Sequence, residues 1–174
     1  HAGAAAPGHE SQIASHEAPG VEVLLIQRAE RHGDPWSGQL ALPGGRRDPR
    51  DATLQETAVR ETREETGVDL DQGLILGTLD ELRPRTPVLP PIIVTPFVAI
   101  APPDATLRPS EEVAEAFWWP WSAFEDPEAA TESIVRVRGA DWTVSSYVLG
   151  HRVVWGMTER MLRHLALRLR SLAA

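Results

Sequence analysis

The sequence predicts an α/β or α+β fold in which helices pack on a mixed β-sheet. Three observations carry that expectation. Strand-like runs rich in β-branched and aromatic residues recur along the chain, beginning with "VEVLLIQR" at 21–28. Two other stretches read as helices, 51–66 from its capping residues and 155–172 from apolar residues at helical period. The two kinds of element alternate irregularly, and no internal repeat is present.

Each element has a local reason. "VEVLLIQR" reads as a buried strand, and "AERHGDPWSG" (29–38) as the loop after it. "QLALPGGRRDPRD" (39–51) is a short extended piece entering a Gly-Gly turn. Asp51 or Thr53 can cap the helix that follows, and Glu56 stands three residues after Thr53, as a capping box requires. Gly67 occupies the place of a helix C-terminal glycine. Strand signals at 73–82 and 92–100 flank the Pro-stiffened loop "RPRTPVLPP". Another at 115–119 runs into "PWSAFED", a short-helix candidate, and "IVRVRG" with "WTVSSYVL" reads as a hairpin. In the last stretch Met157, Met161, Leu162, Leu165 and Leu169 mark an amphipathic helix with Arg on its outer face. Trp118, Trp119 and Trp155 are expected in the core, and His151 and His164 in structural or surface positions.

Residues 1–20, "HAGAAAPGHESQIASHEAPG", form an Ala/Gly/Pro leader without the apolar segment of a signal peptide. It is expected to be loosely held, with residues 21–174 as one domain. The chain opens on His1 rather than Met, so the native start is expected to have been removed, replaced or left out. His1, His9 and His16 are expected to belong to a linker rather than a metal site. No apolar run is long enough to span a membrane, and the expected location is cytoplasmic. Oligomeric state is left open, a homodimer among the options.

Composition narrows the chemistry. There is no Cys, which removes disulfides, thiolate catalysis and zinc–cysteine sites. All 17 basic residues are Arg, so a Walker-type lysine and Schiff-base chemistry are absent too. A formal net charge of −8 argues against a general nucleic-acid or anionic-membrane binder. An acidic substrate would have to be met by local Arg, backbone N–H groups or a metal ion. No G-x-S-x-G elbow is present, which disfavours a serine hydrolase.

The stretch "RETREETGVDL" (60–70) concentrates carboxylates on one helix. With Glu61 as reference, Glu64 lies about 60° to one side and Glu65 about 40° to the other, at roughly 100° per residue. Like charges so placed repel unless a cation sits among them. One alternative is a solvated helix balanced by Arg60 and Arg63. The other is a metal platform: a Gly-Gly turn approaches phosphate or metal closely, and clustered carboxylates supply the hard oxygen ligands that Mg²⁺ or Mn²⁺ requires. Arg60 is then placed to orient one carboxylate.

From Gly45 to Val68 the chain resembles the signature box of the Nudix hydrolases, with Arg60, Glu61, Glu64, Glu65, Gly67 and Val68 all fitting its C-terminal end. Asp51 stands where the box has Glu, Thr62 where it has an apolar residue, and eight residues separate Asp51 from Arg60, one more than in the box. The longer spacing, "PGGRRDPRD", and "VLLIQR", "GQLALPGG", "EEVAEAFWWP" and "VVWGMTERML" are similar to the coenzyme A pyrophosphatase-like branch, over roughly residues 21–170. Against that branch, Asp34 replaces an Arg, Leu42 replaces a Phe, and Arg28 and Arg31 are offset by one residue from its basic pair.

The resemblance implies an α/β/α sandwich and metal-dependent hydrolysis of a diphosphate linkage in a nucleoside diphosphate derivative. Glu61, Glu64 and Glu65 would ligate Mg²⁺ or Mn²⁺, with the Gly45 carbonyl a further ligand, and Arg60 would hold a Glu in place. Glu64, Glu65 and Glu112 are the candidates for the base. Arg46 and Arg47, then Arg83 and Arg85, are the candidate phosphate contacts, and Trp36 a candidate for stacking on a base. The expected substrate is coenzyme A or an acyl derivative, cleaved to 3′,5′-ADP and 4′-phosphopantetheine. Alternatives are ADP-ribose, a nucleotide sugar or a nucleoside triphosphate. A non-catalytic, nucleotide-sensing module is the alternative of another class; the full set Glu61, Glu64 and Glu65 speaks against it.

Overall fold

In the computed structural model, the described residues are 20–33, 36–84, 91–137 and 139–174. Of the leader, only Gly20 falls among them, and Asp34 and Arg85 lie outside.

Strand β1 (Glu22–Arg28) is central in its ladder, with β2 (Leu40–Ala41) on one edge and β5 (Val113–Pro120) on the other. The mixed Val/Leu/Ile run of β1 is explained by burial on both faces: neighbouring Leu25 and Ile26 are 0% and 1% exposed. Pairing runs antiparallel, Gln27 opposite Leu40 and Leu25 opposite Phe117. Strands β3 (Leu74–Thr78) and β4 (Phe97–Ile100) form a second, two-stranded ribbon. The expected hairpin appears as β6 (Thr131–Val137) and β7 (Ala140–Leu149), extended by β8 (Arg152–Trp155) into a three-stranded meander. The α+β class is as expected. The described ladders are all antiparallel, so the parallel part of the expected mixed sheet is not among them.

Helix α2 (Gly156–Ala173) lays Leu162 and Ala166 against this framework. The core joins Leu25, Leu40, Phe124, Tyr147, Leu149, Val154 and Leu162, with Phe124 and Tyr147 packed edge to face at 5.2 Å. Each such side chain contributes about 1.5–3 kcal/mol by leaving water. The expected Trp core is corrected here. Trp118, Trp119 and Trp155 are only half-buried, and of the three only Trp119 packs against this cluster. His151 is exposed, and His164 is half-buried beside Asp80 at 3.4 Å.

Helix α1 (Leu54–Thr66) begins and ends as its caps dictate. Thr53 Oγ1 accepts from the Glu56 N–H at 3.1 Å, and the Glu56 carboxylate accepts from the Ala52 N–H at 2.7 Å. The capping box therefore closes one residue earlier than its usual form. Gly67 ends the helix at φ 78°, its N–H donating to Arg63. A Cβ on Gly67 would also stand 3.0 Å from the Arg108 Cβ. That close approach lets Arg108 N–H reach the Thr66 carbonyl and Ser110 N–H the Glu65 carbonyl, and so carries the loop bearing Glu112 towards the helix. Thr62, polar where the box is apolar, is 6% exposed and satisfies its hydroxyl on the Ala58 carbonyl at 2.8 Å.

Candidate active site

The Gly-Gly turn after β2 folds back onto α1. Gly44 N–H donates to Glu65 Oε2 at 2.9 Å, and Arg28 Nη1 stands 4.0 Å from Glu65 Oε1. Glu65 is only 4% exposed, and burial pushes its carboxyl above the usual range, with the Gly44 bond and Arg28 opposing the shift. Beside it, the Glu61 carboxylate lies so close over Gly45 that any Cβ there would collide with it. Glycine at this position is a steric requirement of the site.

Arg60 organises the other side. Its Nε and Nη2 fork onto Asp51 at 3.0 and 2.9 Å, and Nη1 donates to Glu61 and Glu64 at 2.9 Å each. Nη2 also donates to the Arg46 carbonyl at 3.2 Å. Asp51, 6% exposed, accepts in addition from Thr57 Oγ1 and the Asp48 N–H, both at 2.9 Å. The Arg60 fork is the main cause holding the Asp51 carboxyl far below the usual range, and it raises Arg60 in return. Asp51 lies ahead of the helix, so the extra residue between Asp51 and Arg60 is taken up in the turn rather than in α1.

The expected carboxylate arc is thus divided. Glu61 and Glu65 face the turn, with Glu61 19% exposed at its side chain, whereas Glu64 is 58% exposed and engaged by Arg60. Glu112 is brought near by the 106–112 loop. Its carbonyl accepts from Ala29, its Oε1 from Arg31 at 3.1 Å, and its charge acts on Glu65. Arg46 is exposed beside the turn. Arg47, by contrast, spends its guanidinium on the Asp51 and Ala52 carbonyls at 2.9–3.2 Å, so the structure uses it to pin the turn. Arg83 is not brought to the cluster; it pairs with Glu81 at 3.1 Å. Trp36 is half-buried and lines the same cleft as Arg28, Gly44, Glu61 and Glu112. Arg28 was not among the expected site residues; its signal is the strand alternation that puts it on one face with Ile26.

The donors gathered here are carboxylate and backbone oxygens, which fit a hard divalent cation and not a soft one. Among the described residues no three His, Asp or Glu side chains stand close enough to hold an ion. A cationic group already bridges two of them, because Arg60 Nη1 sits between Glu61 and Glu64. Glu61 and Glu65 at the turn are the pair whose placement fits a metal, and Glu64 joins them only if it leaves Arg60.

A family model, the NUDIX domain, matches residues 15–137. The chain belongs to the Nudix family. Among curated relatives, an uncharacterized Nudix hydrolase NudL from Enterobacter sp. (strain 638) is 36% identical over 158 residues, 90% of this chain and 79% of that protein. The Salmonella paratyphi B NudL is 35% identical over 87% of this chain and 77% of its own length. An uncharacterized Schizosaccharomyces pombe protein, C14C4.10c, is 42% identical over 114 residues, and there the match spans 35% of the longer relative. In fold, the chain is similar to a MutT protein from Methanosarcina mazei Go1, with TM-score 0.53, 23% identity and 86% and 85% of the two chains covered. A MutT/nudix family protein from Enterococcus faecalis gives TM-score 0.54 at 20% identity, over 86% of this chain and 55% of the other. The protein is a Nudix hydrolase, a pyrophosphatase-type enzyme acting on nucleoside diphosphate derivatives. Nudix hydrolases generally use divalent metal ions. No helix among the described residues is long and apolar enough to cross a membrane.

Proposed function

We propose that this Nudix hydrolase cleaves the diphosphate linkage of coenzyme A or an acyl derivative, releasing 3′,5′-ADP and a 4′-phosphopantetheine product, with Mg²⁺ or Mn²⁺ as cofactor. The observation that carries the hydrolytic reading is the seating of Glu61 and Glu65 on the Gly44–Gly45 turn. The coenzyme A reading rests on the "PGGRRDPRD" turn and the eight-residue separation of Asp51 from Arg60.

Glu61, Glu65 and, after release from Arg60, Glu64 would hold the metal with the Gly45 carbonyl. When bound, the metal supplies an activated water and neutralises charge developing on the phosphates. The rest of the work falls to the protein. Gly44 N–H fixes the Glu65 carboxylate, so its second oxygen keeps one orientation. Asp51 locks Arg60, and Arg60 in turn restrains Glu61 and Glu64. The attacking water adds to one phosphorus as the bridging P–O bond breaks, and its proton passes to a carboxylate. Among Glu64, Glu65 and Glu112, Glu112 suits that role best: Arg31 takes only its Oε1, and Ala29 anchors its backbone. Arg28 and Arg46 beside the turn are the candidate phosphate contacts, and Trp36 on the cleft wall the candidate base platform. Action on a cytoplasmic metabolite is part of the same reading.

Comparing kcat/KM for coenzyme A, ADP-ribose and a nucleoside triphosphate tests the substrate. Coenzyme A is expected to rank first. Should it fall tenfold or more below ADP-ribose, the substrate reading fails and the hydrolase family stands.

A further inference from the structure

A second cavity, of about 650 Å³, opens between the end of β1, Gly33, residues 37–40, β6 and β8. Its volume is that of an ordinary small-molecule site. Gln39, Leu40, Val137 and Trp155 wall both this cavity and the cleft that contains the Gly-Gly turn, so the two spaces adjoin. Gln39 and Gly44 are five residues apart, and an extended chain of that length spans at most about 18 Å. One extended nucleotide-derived ligand can therefore reach from the turn to this cavity.

The cavity is lined by Arg152, Arg136 and His151. Arg152 is held in a fixed posture: its guanidinium lies 4.3 Å over the Phe117 ring, and Nη2 donates to Glu115. The other prong is different. Nη1 is shielded from water and has no hydrogen-bond partner among the described residues. A shielded charged donor without an acceptor is destabilising, and native structures rarely leave one without reason. The side chain as a whole is 20% exposed and lines the cavity, so a ligand oxygen can meet its exposed part, and Nη1 becomes reachable once the guanidinium turns towards the cavity. Arg136, 74% exposed, bonds the Gly139 carbonyl and lies 3.9 Å from Asp141, which leaves its charge open to solvent at the rim. Glu115 and Asp141 offset part of the positive charge, so a forked, geometrically placed acceptor is favoured over a diffuse anion.

We propose that this cavity is an anion-recognition subsite in which Arg152, assisted by Arg136, binds a phosphomonoester carried on the nucleotide's ribose. The proposal rests on the coenzyme A reading, in which the nucleotide bears such a group at its 3′ position. It also gives the third phosphate a partner when Arg47, beside the turn, is spent on backbone carbonyls. Arg152 and Arg136 act on specificity and touch no reacting bond.

Equilibrium binding by calorimetry, without metal, separates this subsite from the hydrolytic reading. Adenosine 3′,5′-bisphosphate and adenosine 5′-monophosphate serve as the probes. The full chain is expected to prefer the bisphosphate at least tenfold, and Arg152→Gln and Arg136→Gln each to reduce that preference severalfold or more. Arg152→Lys, which keeps the charge and loses the fork, should fall between. Equal binding of the two nucleotides by the unaltered chain overturns the subsite. So does an unchanged preference in a folded Arg152→Gln protein. Should Arg152→Gln not fold, exposed Arg136→Gln decides alone, and an unchanged preference there overturns the proposal. A clear preference with no hydrolysis of coenzyme A would leave the subsite intact and refute the substrate reading instead.

Discussion

Replacing Gly45 with Ala perturbs the site at one atom. The added Cβ would stand 2.6 Å from Glu61 Oε1 and closer still to its Cδ and Oε2, where ordinary contact is 3.4–4 Å. The Glu61 carboxylate must therefore move by about 1 Å. Stability should change little, because the obstructing group is the end of a flexible side chain and Gly45 is not among the positive-φ glycines. A gain of about 0.4–1 kcal/mol from a stiffer unfolded chain is set against about 1–3 kcal/mol of crowding. The melting temperature should then fall by no more than about 10 °C, at roughly 2–4 °C per kcal/mol. Activity responds more sharply. A displacement of about 1 Å costs on the order of 100-fold, or about 2.7 kcal/mol of transition-state stabilisation. The assay is kcat/KM across a Mg²⁺ titration, beside Gly20→Ala, whose added methyl meets nothing within 4 Å. A twofold or smaller loss at limiting Mg²⁺ would refute the placement of Glu61 at the turn.

Other expectations follow from the same network. Glu65→Gln keeps an acceptor for the Gly44 N–H and removes a buried charge, so the melting temperature at pH 7 should hold or rise while kcat drops by several orders of magnitude; an early-melting or near-fully active variant contradicts this. Glu64→Gln should lose kcat to a similar extent with the fold intact, and near-full turnover at saturating Mg²⁺ would show that exposed Glu64 stays with Arg60. Asp51→Asn tests the pair with Arg60. Because the folded Asp51 carboxyl is depressed, its contribution is complete above the ordinary value of about 3.9 and fades as pH falls towards the folded value. Urea midpoints should therefore differ between wild type and variant at pH 5–7, and the gap should narrow progressively as pH falls below about 4; a constant gap down to the lowest pH would mean the carboxylate is not what stabilises.

Legibility followed the range of the interactions. Helix α1 was readable because Thr53, Glu56 and Gly67 cap it locally, and a Gly-Gly turn ahead of a helix bearing Glu61, Glu64 and Glu65 on one arc was readable from spacing. Spacing could not rank Glu64 against Glu65. One residue rotates a side chain by about 100°, and only the docking of α1 against the turn and the 106–112 loop decides which is buried. Arg47 looked like a phosphate contact because its capture of two backbone carbonyls has no sequence signature. Strand β8 was hidden because "RVVW" runs directly into α2, whose first residue, Gly156, turns the chain at φ 69°. The Trp residues misled for reasons of size: Trp118 and Trp155 sit half-buried, while Phe124 and Tyr147 fill the space between β1, β7 and α2.

The central claim is that carboxylates at the Gly44–Gly45 turn hold a divalent ion that makes diphosphate hydrolysis possible. Its most direct test is the initial rate of coenzyme A hydrolysis, with products identified by mass, in excess EDTA and after adding Mg²⁺ or Mn²⁺ back. The account predicts no turnover in EDTA and recovery of 3′,5′-ADP and 4′-phosphopantetheine on addition of either ion. Sustained turnover in excess EDTA would contradict it.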